Sequence, residues 1–298
     1  GVDLMPYKNI ETKRAKDREY WLKVKGAGPR ATADRYNRAV GVAKDLKIKG
    51  PAHGLKIAVL PDAQVSDGVP MEHLEHYGRY IAEKRPDVIV CVGDFGDFPS
   101  LSHFGRGTRE FEGRRYIKDL DAFHRGMDLF VGPLAKIAGY SPCMEFCLGN
   151  HEDHINRATN EDAKLEGLIS IKDLNLTAYG WTEHPFLQPI AVGGVAFCHY
   201  FPSGVMGKPI SNADVLLQKL HMSAFAGHQQ GREIAYSRRA DGGNMTAIIS
   251  GSFYQHTYDY LSPFTNAHWR GAWFLHEVKD GQFDEMALSI PYLKRRYG

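Results

Sequence analysis

Apolar residues along this chain fall into short blocks separated by polar stretches with helical spacing. The blocks at 56–60, 87–92 and 142–148 are predicted strands, and the one at 87–92 is continuously apolar, which is the mark of a strand covered on both faces. Between them, 71–84 and 114–138 carry apolar residues at the helical period, and Arg85-Pro86 closes the first of these. A glycine-rich loop is expected over 93–107. Further strands are predicted at 195–200, 223–226, 234–237, 245–250, 273–278 and 283–290. Strand and helix alternate in the first half and strands dominate the second, so a layered α/β domain is expected, with parallel pairing early and antiparallel pairing late.

Ahead of residue 55 the pattern changes. Helices are predicted over 10–25 and 32–47, with apolar stripes at Tyr20, Trp21, Val24 and at Tyr36, Val40, Ala43, broken by Gly26, Gly28 and Pro29. Gly50-Pro51 and His53-Gly54 mark a boundary. The expected organisation is a basic helical extension over 1–54 and one large domain over 55–298. Residues 1–50 hold 13 Lys/Arg against 6 Asp/Glu, while the rest hold 24 against 29. A basic arm on a mildly acidic body can keep a polyanion near that body; a solvated helical extension is the plainer alternative.

Composition sets wider limits. At 298 residues with 43% apolar and 24% charged, the chain can fill a sizeable core, and a net charge of +2 gives the whole molecule no strong electrostatic signature. Cys91, Cys143, Cys147 and Cys198 all lie in predicted strands and read as small buried thiols in the reduced state, which points to a cytoplasmic protein. No apolar run approaches the roughly 20 residues of a membrane span, and no signal peptide is visible, so a membrane partner is not expected. Oligomeric state leaves no trace in the sequence.

The chemistry gathers just past the strands. Block 56–60 leads to Asp62 and Gln64, 87–92 to Asp94 and Asp97, and 142–148 to Asn150, His151 and Glu152. The strand at 195–200 carries His199, and the strand at 223–226 leads to Gly227, His228 and Gln230. In an open α/β sheet those carboxyl ends share one edge, where ligands bind. Singly, Asp62 is an ordinary turn residue and His199 an ordinary core histidine; five such residues at successive strand ends are not ordinary. Carboxylate and amide oxygens suit hard cations and imidazoles suit transition metals. A pair of divalent cations can clamp the attacking and leaving oxygens of a phosphoryl displacement.

The ordered blocks Pro61-Asp62-Ala63-Gln64, Gly93-Asp94-Phe95-Gly96-Asp97, Gly149-Asn150-His151-Glu152, His199 and Gly227-His228-Gln229-Gln230 resemble the calcineurin-like metallophosphoesterases over roughly 55–290. Pro99-Ser100-Leu101-Ser102 and Glu112-Gly113-Arg114-Arg115-Tyr116 resemble a bacteriophage-type branch. The resemblance implies two mixed β-sheets face to face with helices outside. It implies that Asp94 bridges two metals, that Asn150, His199 and His228 complete the second position, and that Asp62 serves the first. His151 would bind no metal; it would contact the phosphate and protonate the leaving oxygen, oriented by Asp97.

The chain departs from that family's pattern at two places. Where the family has Asp-x-His and Gly-His-x-His, Gln64 and Gln230 replace the outer histidines. Both belong to the first metal position. An amide oxygen there favours Mn²⁺ or Mg²⁺ over Zn²⁺ or Fe and holds it more weakly than the second position does.

Other polar residues are read more plainly. Arg106, Arg109, Arg114 and Arg115 could meet substrate phosphates, surface ion pairing being the alternative. Phe253, Tyr254, Tyr258 and Tyr260 read as core or cleft wall, His154 as solvent-facing or outside the ligand sphere, and His221, His256, His268 and His276 as structural. The expected activity is metal-dependent phosphoester hydrolysis by a metal-activated water, on a phosphodiester and in particular on nucleic acid or nucleotides, in a host cytoplasm if phage-encoded. The alternatives are a small-molecule phosphomonoesterase and a non-catalytic binding module on a decayed site.

Overall fold

The computed structural model describes residues 43–103, 106–257 and 268–298. The helices expected over 10–25 and most of 32–47, and Tyr258 and Tyr260, lie outside them. The chain enters at strand β1 (Lys44–Leu46), followed by β2 (Leu55–Leu60), helix α1 (Glu72–Lys84), β3 (Val88–Cys91), α2 (Tyr116–Ala135), β4 (Cys143–Cys147) and α3 (Asp153–Glu161). Short strands β5 (Thr182–His184), β6 (Ile190–Val192), β7 (Val195–Cys198), β8 (Pro202–Ser203) and β9 (Lys208–Pro209) precede α4 (Ala213–Leu220). Then come β10 (Ala224–Ala226), β11 (Arg232–Arg238), β12 (Asn244–Ser250), β13 (Gly271–Lys279), β14 (Gln282–Ser289) and α5 (Ile290–Tyr297).

Two mixed six-stranded sheets result, in the orders β14-β13-β2-β3-β4-β5 and β1-β6-β7-β10-β12-β11. Side-chain alternation shows how they stack. In β2, Ile57 and Val59 join Val88, Val90, Phe197, Phe225, Ile248 and Trp273 in a core shared by the two sheets. The intervening Ala58 and Leu60 face the other way, onto Leu74, Tyr77 and Ile81 of α1 and Phe123, Met127 and Phe130 of α2. In the second sheet Ala196, Cys198, Ala224, Ala226, Ala247 and Ile249 turn outward onto Ala213, Leu216 and Leu217 of α4. Helix, sheet, sheet and helix are therefore stacked, the layered sandwich the sequence led us to expect. A period of two with both faces apolar is what a doubly covered strand requires. Each large side chain so buried contributes about 1.5–3 kcal/mol.

Several local expectations are corrected. Lys44–Leu46 is not the end of a helix; it pairs in parallel with β6, Lys44 opposite Ile190. Pairing in the second half is not simply antiparallel. β7, β10 and β12 run parallel, and antiparallel partners sit at β6, β11, β13 and β14. β7 is linked to β10 by α4, a helix too short to stand out from its flanks, and β10 to β12 by way of β11. Ile290 starts a helix rather than ending a strand: Ser289 caps it through Tyr292 N–H, and Pro291 follows in the first turn. Cys143 is exposed at the start of β4; Cys91, Cys147 and Cys198 are buried, and all four are free thiols. Among the described residues no helix is long and apolar enough to cross a membrane.

Candidate metal centre

The carboxyl ends of β2, β3 and β4 in one sheet and of β7 and β10 in the other open onto the same place. Two contacts fix this across the sheets: His199 Nδ1 lies 2.9 Å from the Val92 carbonyl oxygen, and the Asp62 carboxylate accepts the His228 backbone N–H at 3.0 and 3.2 Å. Within the first sheet, the loops after β2 and β3 are laced together. Gln64 N–H donates to Asp94 O at 2.9 Å, Val65 N–H to Phe95 O at 2.8 Å, and Asp97 N–H to Val65 O at 2.9 Å. Phe95 and Phe98 are fully buried and pin the loop. What the sequence shows as a long glycine-rich loop is therefore anchored over its first part.

Asp94 sits in left-handed backbone, φ +51°, directly after Gly93 at φ +94°. A side chain on Gly93 would lie 2.5 Å from Gly149 N, and one on Gly149 only 2.1 Å from Asp94 Oδ1. Two glycines thus let the β3 and β4 loops close on each other. Glu152, fully buried, secures the junction by accepting the N–H groups of Asp94 and Gly96 at 2.9 Å and of Gly149 at 2.8 Å. The sequence pattern alone assigns Glu152 no role. Its signal was present, an acid three residues past a glycine at the start of a helix.

Around Asp94 the donor atoms crowd. His199 Nε2 lies 3.3 Å from Asp94 Oδ2, 2.8 Å from Asn150 Oδ1 and 3.2 Å from His228 Nδ1. His228 Nδ1 lies 2.8 Å from Asn150 Oδ1. One ligand atom from each of Asp94, His199 and His228 falls within 4.8 Å of the others, the geometry of a metal-holding triad. Because a carbonyl can only accept, the Val92 contact keeps the His199 proton on Nδ1. Burial alone would lower His199, but Asp94 beside Nε2 outweighs it and pushes the ring up to about 9, so Nε2 gives up its proton in favour of a cation and then has the tautomer a metal ligand needs. Burial, reinforced by the charge of His199, pulls His228 down to about 4, so this second imidazole is neutral.

The carboxylates fit the same purpose. Asp62 is fully buried, and burial pushes it up to about 7, with His199 opposing and Asp94 adding to the rise. Burial also acts on Asp94, but His199 and His151 outweigh it and hold that carboxyl well below its usual range. Two acids shielded from water beside two imidazoles and an amide oxygen form a donor set that a divalent cation satisfies.

The remaining predicted residues divide. His151, part-exposed, points Nδ1 at Asp97, 2.9 Å from the carboxylate and 2.7 Å from the carbonyl, and its Nε2 lies 3.6 Å from Asp94 Oδ2. Gln64 is buried with φ +43°, and Gln230 Nε2 donates to its Oε1 at 3.5 Å. All the residues named for the metals, together with His151 and Asp97, are thus joined by direct contacts.

The four arginines follow on the loop after Asp97. Arg106 and Arg109 are exposed; Arg114 donates to Pro99 O at 3.3 Å and Arg115 to Arg114 O at 2.8 Å. His154 does not face solvent: it is buried with its ring 5.0 Å from that of His151, because α3 turns it inward. His268 contacts Ser252 Oγ at 2.7 Å. Phe253 and Tyr254 are fully buried.

No family model matches the chain. It is 26% identical over 255 residues to Gene 54 protein of Mycobacterium phage L5, covering 81% of this chain and 95% of that protein. Among solved structures, a dimetal phosphatase from Danio rerio aligns over 79% of this chain and 96% of its own with 10% identity and a TM-score of 0.39. Another aligns over 78% and 99% with 13% identity and a TM-score of 0.40. In sequence, then, the chain is similar to a mycobacteriophage protein along most of both lengths.

Proposed function

We propose that this chain is a metal-dependent phosphoester hydrolase. One observation carries the reading: ligand atoms of Asp94, Asn150, His199 and His228, drawn from four loops of two sheets, close on a common point with the His151–Asp97 pair beside it. In this reading Asn150, His199 and His228 hold one cation, Asp62 and Gln64 serve the other with Gln230 at its side, and Asp94 lies between. Bound cations supply Lewis acidity to the phosphoryl oxygens and to a water. Oxygen-rich donors at the first position favour Mn²⁺ or Mg²⁺ over Zn²⁺ or Fe.

The chain's own residues do the rest. Asp97 fixes the His151 proton at Nδ1 and favours the imidazolium, so Nε2 can hand a proton to the departing oxygen. Glu152 and the two glycines hold Asp94 in place. Arg106 and Arg109, exposed on the adjoining loop, are positioned in this reading to meet further phosphates. The basic segment within 1–54 and the likeness to a phage protein favour a phosphodiester, nucleic acid or nucleotide, met in a host cytoplasm. The division into a 1–54 extension and a 55–298 domain belongs to the same proposal, with Lys44–Leu46 lending one strand to the sheet.

The test is hydrolysis of bis-p-nitrophenyl phosphate and p-nitrophenyl phosphate with Mn²⁺, before and after chelation. Chelator-sensitive cleavage favouring the diester is expected. Preference for the monoester would make it a phosphomonoesterase, and rates equal to buffer in all samples would leave a binding module. On DNA or RNA, a substrate held through its phosphates should bind more weakly as salt rises.

A further inference from the structure

Gln230 stands where the resemblance implies a ligand of the first cation, yet its amide is turned the other way. Tyr254 is fully buried and its hydroxyl donates to Gln230 Oε1. With the phenol hydroxyl as donor, the accepting atom of the amide can only be its oxygen. The oxygen of Gln230 is therefore committed to Tyr254, and the NH₂ end is presented to Gln64, donating to its Oε1 at 3.5 Å. An amide NH₂ offers a cation no lone pair, whereas the Gln64 Oε1 that accepts from it is an oxygen donor.

Tyr254 is itself held firmly. Its ring stacks on His256 at 4.5 Å between centroids, and the Arg270 guanidinium lies over the ring at 4.5 Å. Arg270 Nη1 also donates to Tyr254 O at 3.3 Å and His256 O at 2.6 Å. The preceding residue is tied to the site, since Phe253 N–H donates to Asp62 O at 2.7 Å. A stacked, buried, doubly anchored phenol is a fixed point, and the amide must adapt to it.

We infer that Gln230 is a positioning residue and not a metal ligand: Tyr254 locks its amide so that it donates to Gln64 and leaves Gln64 Oε1 as the amide donor of the first position. This rests on the cation-binding reading above. The first position would then be short of a ligand by design of the Tyr254 lock as well as by loss of histidine, and cation occupancy there would depend on what substrate adds.

The test is Mn²⁺ uptake by the full chain, measured by calorimetry and by EPR of free Mn²⁺, for wild type, Gln230→Leu, Tyr254→Phe and the double variant, with thermal melts to show that each is folded. Gln230→Leu should leave the weaker step within about threefold of wild type, because no ligand is lost. Tyr254→Phe should tighten that step by about two- to tenfold, the worth of one hydrogen bond, or reveal a second cation where wild type takes up one. The double variant should show no such gain. A loss of more than about threefold in Gln230→Leu would identify Gln230 as a ligand and overturn the inference. So would Tyr254→Phe leaving uptake unchanged, or giving the same gain when Gln230 is absent. No Mn²⁺ uptake by wild type, or uptake indifferent to Asp94→Ala and His199→Ala, would instead overturn the cation-binding reading itself.

Discussion

The Nδ1 atom of His151 lies 2.9 Å from the Asp97 carboxylate and 2.7 Å from the carbonyl oxygen of the same residue. Two acceptors on one ring nitrogen leave a single arrangement, with the proton on Nδ1 and Nε2 as the atom that can exchange one. Burial alone would lower this histidine, but Asp94 and then Asp97 outweigh it and push it up to about 10. An imidazolium is thus the form present at neutral pH, which is what a general acid requires.

Replacing Asp97 by Asn should lower kcat by about 10- to 100-fold, the usual cost of losing a histidine's orienting partner. The acid works only while protonated, so activity is lost as pH rises through the His151 pKa. Removing the Asp97 charge lowers that pKa, and the alkaline limb of the rate profile should move to lower pH. A profile that keeps its alkaline limb would separate Asp97 from the acid.

His151→Ala should lower kcat by about 10²- to 10⁴-fold on substrates with alkoxide leaving groups. The loss should be smaller on p-nitrophenyl esters, whose phenolate leaves without a proton. Mn²⁺ uptake should persist, since the ring is not among the proposed ligands. Equal losses on both leaving groups would count against a proton-donating role.

Gly149→Ala places a methyl 2.1 Å from Asp94 Oδ1, so the carboxylate must move. Cation uptake should fall sharply. Gly132→Ala in α2 is the matched control: nothing lies within 4 Å of its added carbon, and alanine in a helix should be neutral or stabilising by up to about 1 kcal/mol. Calorimetric titration of both variants reads the contrast, and a Gly149→Ala protein binding Mn²⁺ normally would remove Asp94 from the site.

Glu152→Gln is nearly isosteric but cannot accept at both ends, and Oε2 takes two N–H groups while Oε1 takes a third. At least one buried N–H is left facing an NH₂ group. Chemical denaturation should show a loss of roughly 2–4 kcal/mol, accompanied by weaker cation uptake, because the same N–H groups set the Asp94 backbone.

A separate pH dependence lies away from the metals. His73 is buried, with Nε2 donating to Phe253 O at 2.8 Å and Nδ1 accepting from Gln255 at 3.0 Å, and burial lowers it to about 3. The unfolded chain takes up the proton near its ordinary value of 6.5 while the folded chain does not. Stability is therefore unaffected above that value and falls as pH drops from there toward about 3, at roughly 1.4 kcal/mol per unit. His73→Asn should start less stable at pH 7, and its deficit should shrink between pH 6 and 4. Denaturant midpoints that run parallel over this range would contradict the assignment.

The Tyr254–Gln230 contact shows where reading a sequence stops. Tyr254 was legible only as an aromatic in an apolar context, and Gln230 only as a replacement within an ordered block. The two are 24 residues apart and meet because the segment after β12 folds back along Asp62. Which end of an amide faces a cation is a matter of its neighbours' donors and acceptors, and these come from another part of the chain. The same holds for Glu152, whose three N–H partners lie on two loops, and for His154, which α3 turns inward.

Sequence by itself determined the layered α/β class, most strands and the two long helices, because periods of two and of 3.6 are local properties of the chain. It also determined which residue types stand past the strands. Only the tertiary structure decided that β7, β10 and β12 run parallel, that Lys44–Leu46 joins a sheet, and that the strand ends of both sheets open onto one place. It also set a proton on His199 Nδ1, through the Val92 carbonyl just past β3 of the opposite sheet. Those outcomes depend on contacts between residues distant in sequence, whose energies are settled only when both partners are buried together.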